Sequence, residues 1–192
     1  MGRGIARLAF IFLLAQGCIT SVEDEVDLNP SIDEDNEYDD IYKKHTQTNE
    51  IIDNFEVRNI ITITAVTQEF RNAFAKRHKR LFNEEQPILE EASTKSGFFV
   101  SVYANSKVAN DLSNTTLWNI QLITGDQTYK PTIVRRLTPK ERWTPFFKSI
   151  SPWSQEYLLI FEDAPATSDR LVNKSQTKLI FSNSNAKISF NL

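Results

Sequence analysis

The chain has 192 residues, a formal charge of −3, one cysteine, two histidines and five glycines. One cysteine rules out a disulfide-stapled scaffold, so any folded domain must hold itself together through its core. The acidic balance argues against a nucleic-acid partner.

The N-terminus carries Arg3 and Arg7 and no acid. It then runs through unbroken apolar sequence from Leu8 to Leu14 and exits through the small residues Ala15 and Gly17. A positive start, a short apolar middle and a small-residue exit describe a secretory signal peptide. The apolar run is far shorter than the roughly 20 residues that span a bilayer. Residues 1–17 are therefore read as a signal peptide cleaved after Gly17. Ala15-Gln16-Gly17 suits an ordinary signal peptidase, which would release a non-lipidated, secreted chain.

The segment Leu14-Ala15-Gln16-Gly17-Cys18 also resembles the lipobox of bacterial lipoproteins. The resemblance covers the first 18 residues. It implies lipidation of Cys18 and attachment to a membrane through several acyl chains, which make a durable anchor. Ile19 rather than Asp after the cysteine resembles outer-membrane sorting. The implied location is the bacterial cell envelope, as an outer-membrane lipoprotein facing the periplasm or the cell surface. Loss of Arg3 and Arg7 leaves the mature chain at −5.

Ser21 to Tyr42 is crowded with acids and has no Lys or Arg, and its apolar residues show no period. Such composition does not bury enough surface to offset ordering entropy. Residues 18–50 are expected to be a lipidated N-terminus and a disordered acidic tether. An EF-hand loop starting at Asp33 would need Gly sixth and Glu twelfth. Those places hold Tyr38 and Lys44, so no metal site is assigned.

Residues 51–192 form one domain in which period 2 dominates. Ile61, Ile63 and Ala65 alternate with polar residues, as do Trp118, Ile120 and Leu122, and Tyr157, Leu159 and Phe161; Phe98, Val100 and Val102 alternate less cleanly. Gly125-Asp126 reads as a turn into a strand over 128–137. Pro131 puts that strand at a sheet edge or at its own start. Leu179 and Phe181, then Ile188, Phe190 and Leu192, flank Asn183-Ser184-Asn185 as a terminal hairpin. The pattern predicts a mainly β fold: an immunoglobulin-like antiparallel β-sandwich with one added α-helix. The alternative is an α+β arrangement, a curved sheet around that helix. The helix is placed near 67–82. Phe70, Ala73, Phe74 and Leu81 share a stripe, Thr67 caps it, and basic residues gather at its end.

Two surfaces are candidates for function. In "KRHKR", Arg77 falls along the buried stripe with its guanidinium reaching outward, and its neighbours make a basic ridge. Lys76, Arg77, Lys79 and Arg80 are read either as a solvated helix end or as an anion-binding face. The anions nearest an anchored protein are lipid headgroups, lipopolysaccharide phosphates and its own acidic tether. In "RWTPFFKSISPWS", Trp143, Phe146, Phe147 and Trp153 lie around two prolines. They are read either as a cap on the core or as an aromatic platform for a glycan, peptide or protein.

Catalytic constellations are missing. Without a mature cysteine and with two scattered histidines, Cys/His zinc sites are excluded. The mature glycines, Gly97 and Gly125, form no phosphate-cradling loop. No cofactor is expected. Asn114 and Asn173 are read as turn asparagines. The sequence points to a non-catalytic binding or structural module of the envelope, held to a membrane by its lipid. The alternatives are a secreted, non-lipidated glycan- or peptide-binding module, and an enzyme with an unlocated carboxylate site. Partners are the membrane and an envelope protein, glycan or anionic lipid.

Overall fold

The computed structural model describes residues 35–53, 55–84, 88–106, 109–165, 177–184 and 187–192. The signal segment, Cys18 and the tether up to residue 34 lie outside them, as does Asn173. The order of elements is α1 (Asn36–His45), β1 (Thr46–Asp53), β2 (Glu56–Ala65), α2 (Gln68–Phe82), α3 (Ile88–Thr94), β3 (Ser96–Ala104), β4 (Asn119–Thr124), β5 (Gln127–Tyr129), β6 (Ile133–Arg136), β7 (Gln155–Phe161), β8 (Thr177–Ser182) and β9 (Lys187–Asn191).

Among the described residues all strand pairs are antiparallel. One sheet has the order β1-β2-β3-β7-β6 and the other β5-β4-β8-β9. The fold is mainly β, and the described residues form two antiparallel sheets with three α-helices. The inner faces meet in a core built from Ile61, Ile63, Phe98, Val100, Leu122, Leu159, Phe181 and Phe190, with Trp118 buried among them. A second core lies on the other face of the five-stranded sheet. There Phe99, Leu158 and Ile160 pack against Phe70 and Phe74 of α2, Leu89 and Ala92 of α3, and Tyr38 and Tyr42 of α1. The central strands β3 and β7 are thus buried on both faces, which explains the poor alternation at 98–102: a doubly covered strand reads as a continuous apolar run.

The expected tether needs correction between residues 35 and 50, where the chain forms α1 and most of β1. Asp35 caps α1 by accepting from the Tyr38 amide at 3.3 Å. Glu37 and Asp39 fill the first turn, and Lys43, Lys44 and His45 the last, as the helix dipole favours. Tyr38, Tyr42 and His45 form the buried stripe. The Tyr38 ring lies 6.0 Å from Phe70, and its hydroxyl donates to the Phe146 carbonyl at 2.9 Å. Two buried aromatic rings supply the area that the acids seemed to deny this segment.

The expected helix near 67–82 is α2, and the described residues add α1 and α3 to it. Thr67 accepts from the Phe70 amide at 3.1 Å, and Asn83 ends the helix in the left-handed conformation. Helix α3 presses onto β3 at Gly97, where an added Cβ would sit 2.4 Å from Ala92.

The strand expected over 128–137 is two strands. β5 pairs with β4 in one sheet and β6 with β7 in the other. Pro131 lies between them; it cannot donate to a ladder, and the chain changes sheets there. Both pieces are edge strands, as a proline requires. The turn at Gly125, with φ +57°, and the terminal β8–β9 hairpin match expectation. On the opposite side, side chains of β1 close the gap between sheets. Gln47 Nε2 donates to the Asn191 carbonyl at 2.7 Å and Asn49 Nδ2 to that of Ser189 at 2.8 Å.

Candidate functional site

The basic ridge of α2 faces the acidic helix α1. Lys76 Nζ lies 2.5 Å from Glu37 and Arg80 2.7 Å from Asp35. The Arg77 guanidinium sits 4.8 Å above the Tyr38 ring, and Arg77 is buried rather than reaching into solvent. The ordinary value of Lys76 is raised, chiefly by its hydrogen bond to Glu37. His78 is also buried, its ring centroid 5.7 Å from that of Phe74 and 5.4 Å from that of Phe146, so it is not part of an outer ridge. Of the expected anion-binding face, Lys76 and Arg80 are engaged by the chain's own acids, and Lys79 points outward. The anion that meets the ridge is the segment read as tether.

The aromatic connection divides. Trp143, Phe146 and Phe147 are buried; Phe147 stacks on Phe99 at 3.5 Å and Phe146 packs on Phe74 at 4.5 Å. They cap the helix-side core and are unavailable as a platform. Trp153 is 73% exposed.

Its backbone is fixed by the turn Ser151-Pro152-Trp153-Ser154. Ser151 N donates to Ser154 Oγ at 2.8 Å, and Ser151 Oγ accepts from the amides of Trp153 and Ser154. Below the turn, Ser154 Oγ donates to the buried Glu156 carboxylate at 2.5 Å. Lys140 Nζ reaches the same carboxylate at 3.7 Å and donates to the Ser151 and Ser154 carbonyls. A short 3₁₀ turn, Lys140–Arg142, delivers that lysine.

Trp153 stands beside a cleft of about 770 Å³, within the roughly 300–1,000 Å³ of small-ligand sites. Tyr103 and Trp153 supply rings; Asn110, Asp111, Arg136 and Gln155 supply polar groups. A second depression of about 320 Å³ adjoins it and shares Tyr103 and Trp153. It runs over Ile60, Thr62 and Ser101 on the helix-side face of β2 and β3.

The far wall is the connection between β3 and β4. Trp118 pins it from the core, its Nε1 donating to the Ala109 carbonyl at 3.0 Å. Tyr157 Oη donates to the Asn110 carbonyl at 3.1 Å and lies 3.3 Å from Asp111 Oδ1. Asp111 accepts from the Ser113 amide and hydroxyl, at 3.0 and 2.5 Å. Asn114 closes the same kind of turn on Thr116, so it is a turn asparagine. Asn110 joins the two walls, Nδ2 donating to the Trp153 carbonyl at 3.4 Å. It is only 7% exposed, and its Oδ1 has no partner.

The Ser113 hydroxyl, helped by Tyr157 and Arg136, holds the Asp111 carboxyl below its ordinary 3.8. Burial, followed by the Asp111 charge, pushes Tyr157 up to about 12. Near neutral pH one is a fixed acceptor and the other a fixed donor. Sequence reasoning missed Asn110, Asp111 and Gln155. The first two stand in an aperiodic loop whose turn signals, Asp-x-Ser and Asn-x-Thr, were legible but carry no sign of what they enclose.

Among the described residues no group of His, Cys, Asp and Glu side chains is arranged to hold a metal ion. None of their helices is long and apolar enough to cross a membrane. Compared with protein-family models, curated proteins and solved structures, the chain matches none.

Proposed function

We propose that this chain is a cell-envelope lipoprotein that works as a non-catalytic binding module. Cys18 carries the lipid after cleavage behind Gly17, and the Trp153 cleft makes the contact. The observation that carries the binding role is Trp153 itself. A large ring left 73% exposed, on a turn locked by its own serines and by Lys140 paired with the buried Glu156, is a side chain held out for contact. Binding rather than bond-making is supported by the cleft's ionisable groups. Asp111 is shifted down and Tyr157 up, so both move away from the neutral range that suits proton transfer. The anchoring is supported by Leu14 to Cys18.

The test uses the full-length chain labelled with 5-fluorotryptophan. Of its three tryptophans, Trp118 and Trp143 are buried, and Trp153→Ala assigns the remaining ¹⁹F resonance. Adding envelope membranes from a bacterial host should shift or broaden that resonance and leave the other two in place. A Trp153 signal indifferent to the envelope would refute the contact surface. Metabolic labelling with an alkyne fatty acid, lost in Cys18→Ala, tests the anchor separately.

A further inference from the structure

We infer that the Trp153 cleft takes a neutral pyranose oligosaccharide, with a sugar ring stacked on Trp153 and its hydroxyls held by Asn110, Asp111 and Gln155. This ligand class rests on the cleft being the contact surface proposed above.

Three features select it. The first is the balance of charge. Asp111 and Arg136 line the same cleft and carry opposite signs. Their charges offset, so phosphate and polyanionic ligands gain little and a neutral ligand loses nothing.

The second is the pairing of the strands. A peptide that binds in extended form needs a free strand edge for its backbone. Of the strands at the cleft, β3 is paired with β2 and β7, and β7 with β3 and β6; the edge strand β6 reaches it only through its last residue, Arg136. Recognition is left to side chains. Those present are amides, a carboxylate and a guanidinium, which offer both donors and acceptors. A sugar hydroxyl donates and accepts at once, so it can satisfy either kind.

The third is Trp153 itself, whose carbonyl accepts from Asn110 Nδ2 at 3.4 Å, so the exposed ring is tied to the far wall of the cleft. Trp153 provides the apolar plane, because a pyranose whose substituents are equatorial exposes a flat face of C–H bonds. The adjoining depression over Thr62 and Ser101 shares Trp153 and Tyr103, and it extends the track for further rings.

The test is calorimetric titration of the full-length chain with cellotetraose and chitotetraose, with N-acetyl-tetraalanine as the peptide probe. At least one saccharide should bind saturably with a blue shift of Trp153 emission, and the peptide should not. Trp153→Ala should abolish binding, and Gln155→Ala should weaken it at least tenfold. Asn110→Ala should do the same; because Asn110 ties two loops, its melting curve is recorded, and Gln155→Ala carries the test if Asn110→Ala unfolds. Absence of saturable binding by both saccharides at about 10 mM overturns the inference. So does equal binding by Trp153→Ala, or equal binding of the peptide. If both saccharides fail while envelope membranes still shift the Trp153 resonance, the ligand class falls and the contact surface stands.

Discussion

Lys140 and Glu156 form a pair beneath the Trp153 turn: the carboxylate is 2% exposed, the ammonium nitrogen lies 3.7 Å away, and the same nitrogen holds two carbonyls of the turn. Breaking such a pair from one side leaves a buried charge without its counter-ion. Lys140→Met should lower stability by about 3 kcal/mol, measured as a shift in urea midpoint. Glu156→Gln keeps shape and the Ser154 bond, and should cost less. In both variants Trp153 should become more mobile, read as reduced fluorescence anisotropy after subtraction of the Trp153→Ala signal. Unchanged anisotropy in Lys140→Met would show that the turn stands without the pair.

Helix α1 is docked by Tyr38 rather than by its charges. Tyr38→Ala removes a ring packed on Phe70 and Phe146 and should cost about 3–5 kcal/mol. Tyr38→Phe keeps the ring and loses one hydrogen bond to the Phe146 carbonyl, for about 1 kcal/mol. The Glu37–Lys76 pair is exposed to screening, so Glu37→Gln should change stability little at physiological salt. Equal losses for Tyr38→Ala and Tyr38→Phe would contradict this ranking.

At Gly97 the β3 backbone passes so close to α3 that an alanine methyl would meet Ala92 O and Cβ at 2.4 Å. Gly97→Ala should destabilise by about 1–3 kcal/mol. Ala92→Gly should restore only part of that loss, because the backbone oxygen remains in the way. Thermal melting of the single and double variants measures both.

Asp111 gives the cleft a pH dependence with a defined sign. Its carboxyl is held below 3.8 in the folded chain, first by the Ser113 hydroxyl and then by Tyr157 and Arg136. A lowered carboxyl adds stability that is complete above its unfolded value and disappears as pH falls through the folded one. The difference in urea midpoint between the parent and Asp111→Asn should shrink from about pH 5 to about pH 2. The side chain is exposed to water, so the whole effect should be a few tenths of a kcal/mol. A difference that grows on acidification would reverse the assignment.

Much of this fold was legible where one element faces one environment. Strands β4 and β9 alternate because they have one core face, and α2 announced itself through Thr67 and its aromatic stripe. Strand β3 blurred because helices cover its second face. Pro131 marked an edge, but whether one strand or two met there depended on a second sheet that no local pattern describes. The acidic segment misled for a different reason. Composition weighed its carboxylates, whereas the fold used Tyr38 and Tyr42 and matched Glu37 and Asp35 to cations 39 and 45 residues away. The aromatic loop was found as a group. Only its hydrogen bonds separate Trp153 from the buried Trp143, Phe146 and Phe147.

Attachment of the folded part to a membrane through Cys18 is a proposal, and the mass of the mature N-terminal peptide, recovered from a bacterial host, tests it most directly. The expected peptide begins at Cys18 and carries a diacylglyceryl group on sulfur with an acyl chain on its amine. A peptide beginning at Cys18 without those groups, or one retaining residues 1–17, would contradict it.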